Sequence, residues 1–345
     1  MRVQVDVAAL LDVADLQSLF SPNKGRYWLD FGATVAISYA AFAGAVFSSV
    51  SAPGFWCCFV VATLATYRGN FFLHEIVHQG PRLGAFSWAY LLLYGFVHKI
   101  PVIAYLPHLV HHEVSHYGDR NDPEYAEWWA NPTAAVRHML AMAVAGPAWF
   151  MLRFGVLSAV VPWLPVAVRA PLYARWSSFA LNPKYVRPIA LWPRRKTLVE
   201  EYGCFCYTAG FVVLSLRGYL PWRALAVWYA MMSAFLVLHF ARAIVNHGYG
   251  RFHHTTTLEA MVADARNVTG HPVLSELWAP LAVRYHALHH LFPRLPYHSL
   301  PAAHVRLLKA LPADHVYRTT NSPSFVSALN RALAHRRWEA RQEAR

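Results

Sequence analysis

Three short stretches of this chain each place histidines on one helical stripe, and any fold it adopts must answer to them. His74-Glu75-Ile76-Val77-His78 holds two, at i and i+4. His108-Leu109-Val110-His111-His112 and His286-Ala287-Leu288-His289-His290 each hold three, at i, i+3 and i+4. On an α-helix such positions are neighbours, with Cβ atoms roughly 5–6 Å apart, so each stretch can aim its imidazoles at one spot. Neutral imidazole is the commonest protein metal ligand and suits iron, zinc, copper and nickel. Eight clustered histidines are too many for one tetrahedral ion and suggest two metals.

The surroundings of these stretches are apolar. The 345 residues are 56% hydrophobic and only 14% charged, against roughly 25% charged in a soluble domain. This deficit points to a membrane protein, and helical spans along the chain make the expected fold all-α. The net charge of +13 fits Lys and Arg gathered in cytoplasmic loops. No nucleic-acid motif accompanies it, so no nucleic-acid partner is expected. Cys57, Cys58, Cys204 and Cys206 lie in or beside apolar segments without zinc-ribbon spacing and read as small buried hydrophobes. The first residues carry Asp6, Asp12 and Asp15 with no apolar run behind a basic start, so no cleavable signal peptide is expected.

Taken in order, residues 5–20 read as an amphipathic helix on the surface or the membrane interface, broken at Ser21–Gly25. Tyr27 and Trp28 suit an interfacial belt. Four spans are expected, over about 29–50, 55–73, 203–219 and 221–241. They form two hairpins with short turns at Ser51–Gly54 and Arg217–Pro221. The first hairpin runs into His74, the second into Asn246-His247. Residues 85–106, with His98, Lys99 and Pro101, read as interfacial or re-entrant. Residues 139–163 are apolar but contain Pro147 and Arg153 and precede a basic stretch that includes Arg194, Arg195 and Lys196. A single crossing would leave that basic stretch outside, so the segment is expected to be embedded without crossing. Residues 1–345 then form one domain, with 74–202 and 242–345 as a mainly cytoplasmic, histidine-rich helical cap. The basic run Asn330–Arg345 reads as a solvated or headgroup-facing tail.

The order H-x-x-x-H, H-x-x-H-H, H-x-x-H-H, with the first ending a membrane hairpin and the last running on as H-H-L-F-P-x-x-P-Y-H, resembles the integral-membrane fatty acid desaturases. That superfamily also holds hydroxylases, acetylenases and a decarboxylating branch. The resemblance covers roughly residues 27–310 and is weakest between 125 and 235. It implies two irons held by His74, His78, His108, His111, His112, His247, His286, His289 and His290, with His247 filling the family's position after the second hairpin. It further implies O2 as co-substrate and attack on an unactivated C–H bond of a fatty acyl chain. Desaturation stands first; hydroxylation and decarboxylation to a terminal alkene are the alternatives. Some front-end members carry Gln where this chain has His286 and are fused to cytochrome b5. Here His271-Pro272 runs into Val273-Leu274 and not into the haem-binding H-P-G-G. A separate electron donor such as ferredoxin or cytochrome b5 is therefore expected, with a multi-pass location in the cytoplasmic membrane if the source is bacterial.

Glu75 and Asn246, each beside a candidate ligand, are the candidate catalytic residues, Glu75 as a partner of a ligand imidazole. Asp122 and Glu124, in Asp-Pro-Glu-Tyr, are expected to orient ligands, His116 to support the second stripe and His239 to line the site. His253, His254, His298 and His304 read as structural or surface groups. Two rivals rank far below. His74-Glu75-x-x-His78 matches a zinc-protease motif with Glu75 as general base, but leaves the other two stretches unexplained. A metal transporter would set its histidines mid-membrane, and these follow the spans.

Overall fold

Asn23 starts the first long helix by accepting the Arg26 amide on its side chain at 3.0 Å. That helix, α1 (Lys24–Phe47), ends at Ser48, and Pro53 opens α2 (Pro53–Gln79) at the first helical position. The computed structural model describes residues 10–12, 14–127, 131–188, 194–248 and 257–343, with side chains to residue 334. α1 and α2 pack as a hairpin, joined deep inside by a Ser38–Thr66 hydroxyl contact of 2.9 Å. The second hairpin is α5 (Arg194–Leu216) with α6 (Arg223–Asn246). Arg223 reaches back to the Ser48 carbonyl and so ties the two turns together.

Between the hairpins lie α3 (His108–His111) and α4 (Pro132–Phe150), the latter capped by Asn131 and prolonged by wider turns through Val156. Among the described residues, Lys24–Phe47, Pro132–Ala159 and Arg223–Asn246 are long and apolar enough to cross a membrane. A pair bent by 85°, Phe86–His98 and Val102–His111, makes a fourth candidate. Arg153, the charge inside Pro132–Ala159, is 2% exposed and pairs with Glu201 of α5 at 2.5 Å, while its Nε donates to Ser177 at 2.7 Å. Leu29, Phe47, Val144 and Leu216 point outward, each more than two-thirds exposed, as lipid-facing side chains do. Cys57 and Cys206 are exposed on this surface and only Cys204 is fully buried. The expectation of four buried thiols fails because outward-facing positions here can be apolar.

The cap has its own core. α7 (Leu258–Asp264), α8 (His286–Leu291) and α9 (Leu300–Ala310) gather around Val262, Leu288, Leu291, Leu307 and Tyr317. Leu10, Ala14 and Leu16 belong to this same core. Of the expected helix over 5–20, residues 5–9 and 13 lie outside the described residues; over the described ones it is broken, because Asp15 takes φ +46° and Gln17–Phe20 is a single 3-10 turn. Its apolar side covers the cap rather than the bilayer. A two-strand parallel pair, β1 (Asn267–Val268) with β2 (Asn321–Ser322), sits under α8. Asn267, fully buried, donates to Thr320 and Asn321 and accepts the Leu288 amide at 3.2 Å. The chain's last third is thereby clamped to the third histidine stretch.

Candidate metal centre

Each histidine stretch is delivered by a different device. His74 and His78 are one turn apart on α2, which stops at Gly80 with φ +55°. His108 and His111 occupy the single turn α3, and His112 closes it. His286, His289 and His290 share α8, whose start is fixed by an antiparallel bridge between Asn267 and Tyr285. His247 leaves the end of α6 in extended conformation, held by a backbone bridge to Ala265.

These devices converge. His74, His78, His108 and His289 bring one ring nitrogen each within 4.8 Å of one another, and His111, His247, His286 and His290 do the same. All eight are buried. His112 Nε2 lies 3.1 Å from both His108 Nε2 and His289 Nε2, and its ring centroid is 4.5 Å from that of His290. The ninth histidine thus belongs with the first group and faces the second.

The far nitrogens decide what the near ones can do. His111 Nδ1 is 2.9 Å from both oxygens of Asp122, and His108 Nδ1 is 2.5 Å from Glu124. His247 Nδ1 is 2.7 Å from the Tyr117 hydroxyl, which itself donates to Asp264 at 2.5 Å. A neutral imidazole carries one N–H, and here acceptors hold it at Nδ1. Each Nε2 then presents a lone pair. Yet His111 and His247 set Nε2 against Nε2 at 3.2 Å, and His286 comes within 2.7 Å of His247. Facing lone pairs repel; a cation among them converts the repulsion into binding. The donor set therefore fits a metal in each group. Burial keeps the rings neutral, with His78 pushed down to about 3 and His247 to about 4. His74, His108, His112, His286, His289 and His290 shift the same way, burial again the largest cause. His111 alone is raised: burial pushes it down, but the carboxylates of Asp122, Glu124 and Asp264 together more than offset that.

Asp122 and Glu124 thus stand where their expected orienting role puts them. Tyr117 and Asp264 had no sequence signal, since neither shares a helical stripe with His247. Glu75 is buried and accepts the Tyr27 hydroxyl and the Tyr297 amide, the latter at 3.2 Å, with Oε1 3.9 Å from His74 Nδ1. It clamps the tail of the third stretch onto α1 and α2. Asn246 is buried one residue before His247, and its carbonyl accepts the Arg266 amide at 2.8 Å. Neither joins the two nitrogen groups. His116 lies beside Glu113 and Asp119, and His239 stacks on Phe235 inside α6. His298 accepts the Asn23 amide at 3.0 Å, and His304 pairs with Tyr317 at 2.7 Å. His253 and His254 lie outside the described residues.

The pattern of the fatty acid desaturase family matches residues 49–321, which takes in every one of these histidines. The chain belongs to the fatty acid desaturase family. Over 333 residues it is 31% identical to a ceramide hydroxylase of Caulobacter vibrioides (strain NA1000 / CB15N), covering 95% of this chain and 94% of that protein. As a member of this family it is an integral-membrane oxidoreductase of lipids, and the two histidine groups lie at the cap end of its apolar helices.

Proposed function

We propose that this desaturase-family protein hydroxylates a chain of a ceramide-type lipid, using two irons and O2. The carrying observation is the pair of buried nitrogen groups whose lone pairs face one another. His74, His78, His108, His112 and His289 would hold one iron, and His111, His247, His286 and His290 the other. Bound iron supplies the redox chemistry with which O2 attacks an unactivated C–H bond. The protein's own part is to fix the ligands, through Asp122, Glu124 and the Tyr117–Asp264 pair, and to keep water from the site. Hydroxylation takes one O2, two electrons and two protons per C–H bond, giving C–OH and water. The electrons come from a separate donor such as ferredoxin or cytochrome b5, approaching the cap from the cytoplasm.

Similarity along nearly the full length to a hydroxylase favours hydroxylation. Desaturation is the second reading, favoured by the family match and served by the same ligand set. Glu75 argues against a zinc protease, because Tyr27 and Tyr297 occupy the carboxylate that such an enzyme turns to its metal-bound water.

The test couples metal to product. Protein reconstituted with iron should approach two ions per chain and consume O2 when given a reduced donor and ceramide. Mass spectrometry should find product with one added oxygen; loss of two hydrogens instead selects desaturation, and a terminal alkene formed from free palmitic acid by loss of CO2 and two hydrogens selects decarboxylation. Zinc-loaded protein should be inert, since zinc has no redox chemistry. An active zinc form, or turnover without O2, refutes the proposal.

A further inference from the structure

Two facing helices carry matched polar stripes beneath the histidines. Tyr67, Asn70 and His74 fall at i, i+3 and i+7 on α2, and His239, Arg242 and Asn246 repeat that spacing on α6. The stripes meet. The Arg242 guanidinium of α6 lies 5.0 Å from the ring centroid of Phe71 on α2, and the neighbouring Tyr67 hydroxyl donates to the Trp278 carbonyl at 2.8 Å.

These stripes are not satisfied by the protein. Among the described residues, Asn70 Oδ1, His239 Nδ1 and Arg242 Nε are buried without a hydrogen-bond partner. Arg242 is only 7% exposed. Buried polar atoms are nearly always paired, and ionisable groups within apolar helices mark substrate paths. The unpaired set contains a fixed donor on Arg242, a fixed acceptor on Asn70 and a ring nitrogen that takes either role. That combination suits a group which both accepts and donates, as the amide and hydroxyls of a ceramide do. A free carboxylate would suit Arg242 but would face the Asn70 oxygen with another acceptor.

We propose that Asn70, His239 and Arg242 form a headgroup subsite, gripping the lipid's amide and hydroxyl groups and so presenting C–H bonds beside the headgroup, rather than the far chain end, to the histidines. This inference rests on the reading of the substrate as a ceramide-type lipid. It also gives Arg242 a binding role that no histidine pattern reveals.

The experiment compares wild type, Arg242→Met, Arg242→Lys and His239→Phe in phosphatidylcholine nanodiscs. N-palmitoyl ceramide and palmitic acid are titrated separately, with tryptophan fluorescence for affinity and elemental analysis for iron. Arg242→Met should bind ceramide about tenfold or more weakly, as expected for losing a hydrogen bond to a charged group. Arg242→Lys should recover part of the loss, His239→Phe should also weaken binding, and iron per chain should stay at the wild-type level in all three. Palmitic acid binding should not show this pattern, and tandem mass spectrometry should place the oxidation on the headgroup side. Ceramide affinity unchanged in both Arg242→Met and His239→Phe, or oxidation at the far chain end, overturns the subsite alone. Loss of iron in both variants makes the stripe a structural support and also overturns it. A wild type that binds no ceramide overturns the substrate reading and the subsite together.

Discussion

Asp122→Asn tests whether the carboxylates behind the histidines set their binding nitrogens. Asp122 is fully buried, and its oxygens accept three backbone amides, Gly118 at 2.9 Å, Glu124 at 2.8 Å and Tyr125 at 3.2 Å. Both oxygens also lie 2.9 Å from His111 Nδ1. Asparagine has nearly the same shape but only one acceptor oxygen. If that oxygen stays with Glu124 and Tyr125, the NH2 group faces both the Gly118 amide and His111 Nδ1. The His111 Nδ1 proton then shares one crowded, uncharged oxygen and faces a new donor, which favours the tautomer with the proton on Nε2, where the ligand lone pair was. The charge-assisted bond is worth about 1.5–3 kcal/mol. Losing a partner of this kind costs 10- to 100-fold in metal affinity, about 1.4–2.7 kcal/mol.

Because His111 belongs to the group with His247, His286 and His290, only one of the two ions should suffer. Anaerobic titration of metal-free protein with ferrous iron, read by calorimetry and by elemental analysis after gel filtration, should show one site near wild-type affinity. The other should be weaker by about 10- to 100-fold. Glu113→Gln, a change at a side chain 56% exposed in the same loop, is the control and should leave both sites intact. Two ions bound at wild-type affinity by Asp122→Asn would refute the argument. So would equal loss of both ions, which would mean that the loop had simply come apart.

His247→Ala should abolish lipid oxidation as completely as His111→Ala or His289→Ala and lower iron content toward one ion per chain, with the helical circular dichroism unchanged; near-normal turnover would remove His247 from the ligand set. Cysteine-scanning labelling should place Ser51–Gly54 and Gly218–Pro221 on the face opposite the histidines. Residues 174–187 should label from the histidine face, because they bind the second histidine loop directly: Phe179 N to Ala104 O at 2.8 Å, Asn182 Nδ2 to Asp122 O at 2.8 Å and Arg187 to Ile103 O at 2.7 Å. Labelling of that segment from the far face alone would make Pro132–Ala159 a crossing helix.

The centre was legible to the extent that its chemistry is local. Imidazoles at i, i+3 and i+4 announce a shared target because helix geometry puts them there. Adjacency alone says less. Glu75 follows His74 on one helix, where consecutive residues point about 100° apart, so a ligand's neighbour tends to face elsewhere. Glu75 accordingly reaches Tyr27 and Tyr297. Asp264, which acts on His247 through Tyr117, sits 147 residues from that tyrosine, and no spacing rule spans such a gap. The same limit governs residues 5–20. An amphipathic pattern says that one face is covered; it does not say whether lipid or protein covers it, and Leu10 and Leu16 turned out to seal the cap. Arg153 makes the point for charge. Alone in an apolar run it argues against a membrane interior, since an unpaired ion there is costly. Paired with Glu201, 48 residues away, its cost falls and it becomes a brace between α5 and the turns that prolong α4. Whether that region crosses the bilayer therefore depends less on its own hydropathy than on where the chain returns, and the bonds from 179–187 to the loop of 103–122 bring it back to the histidine side.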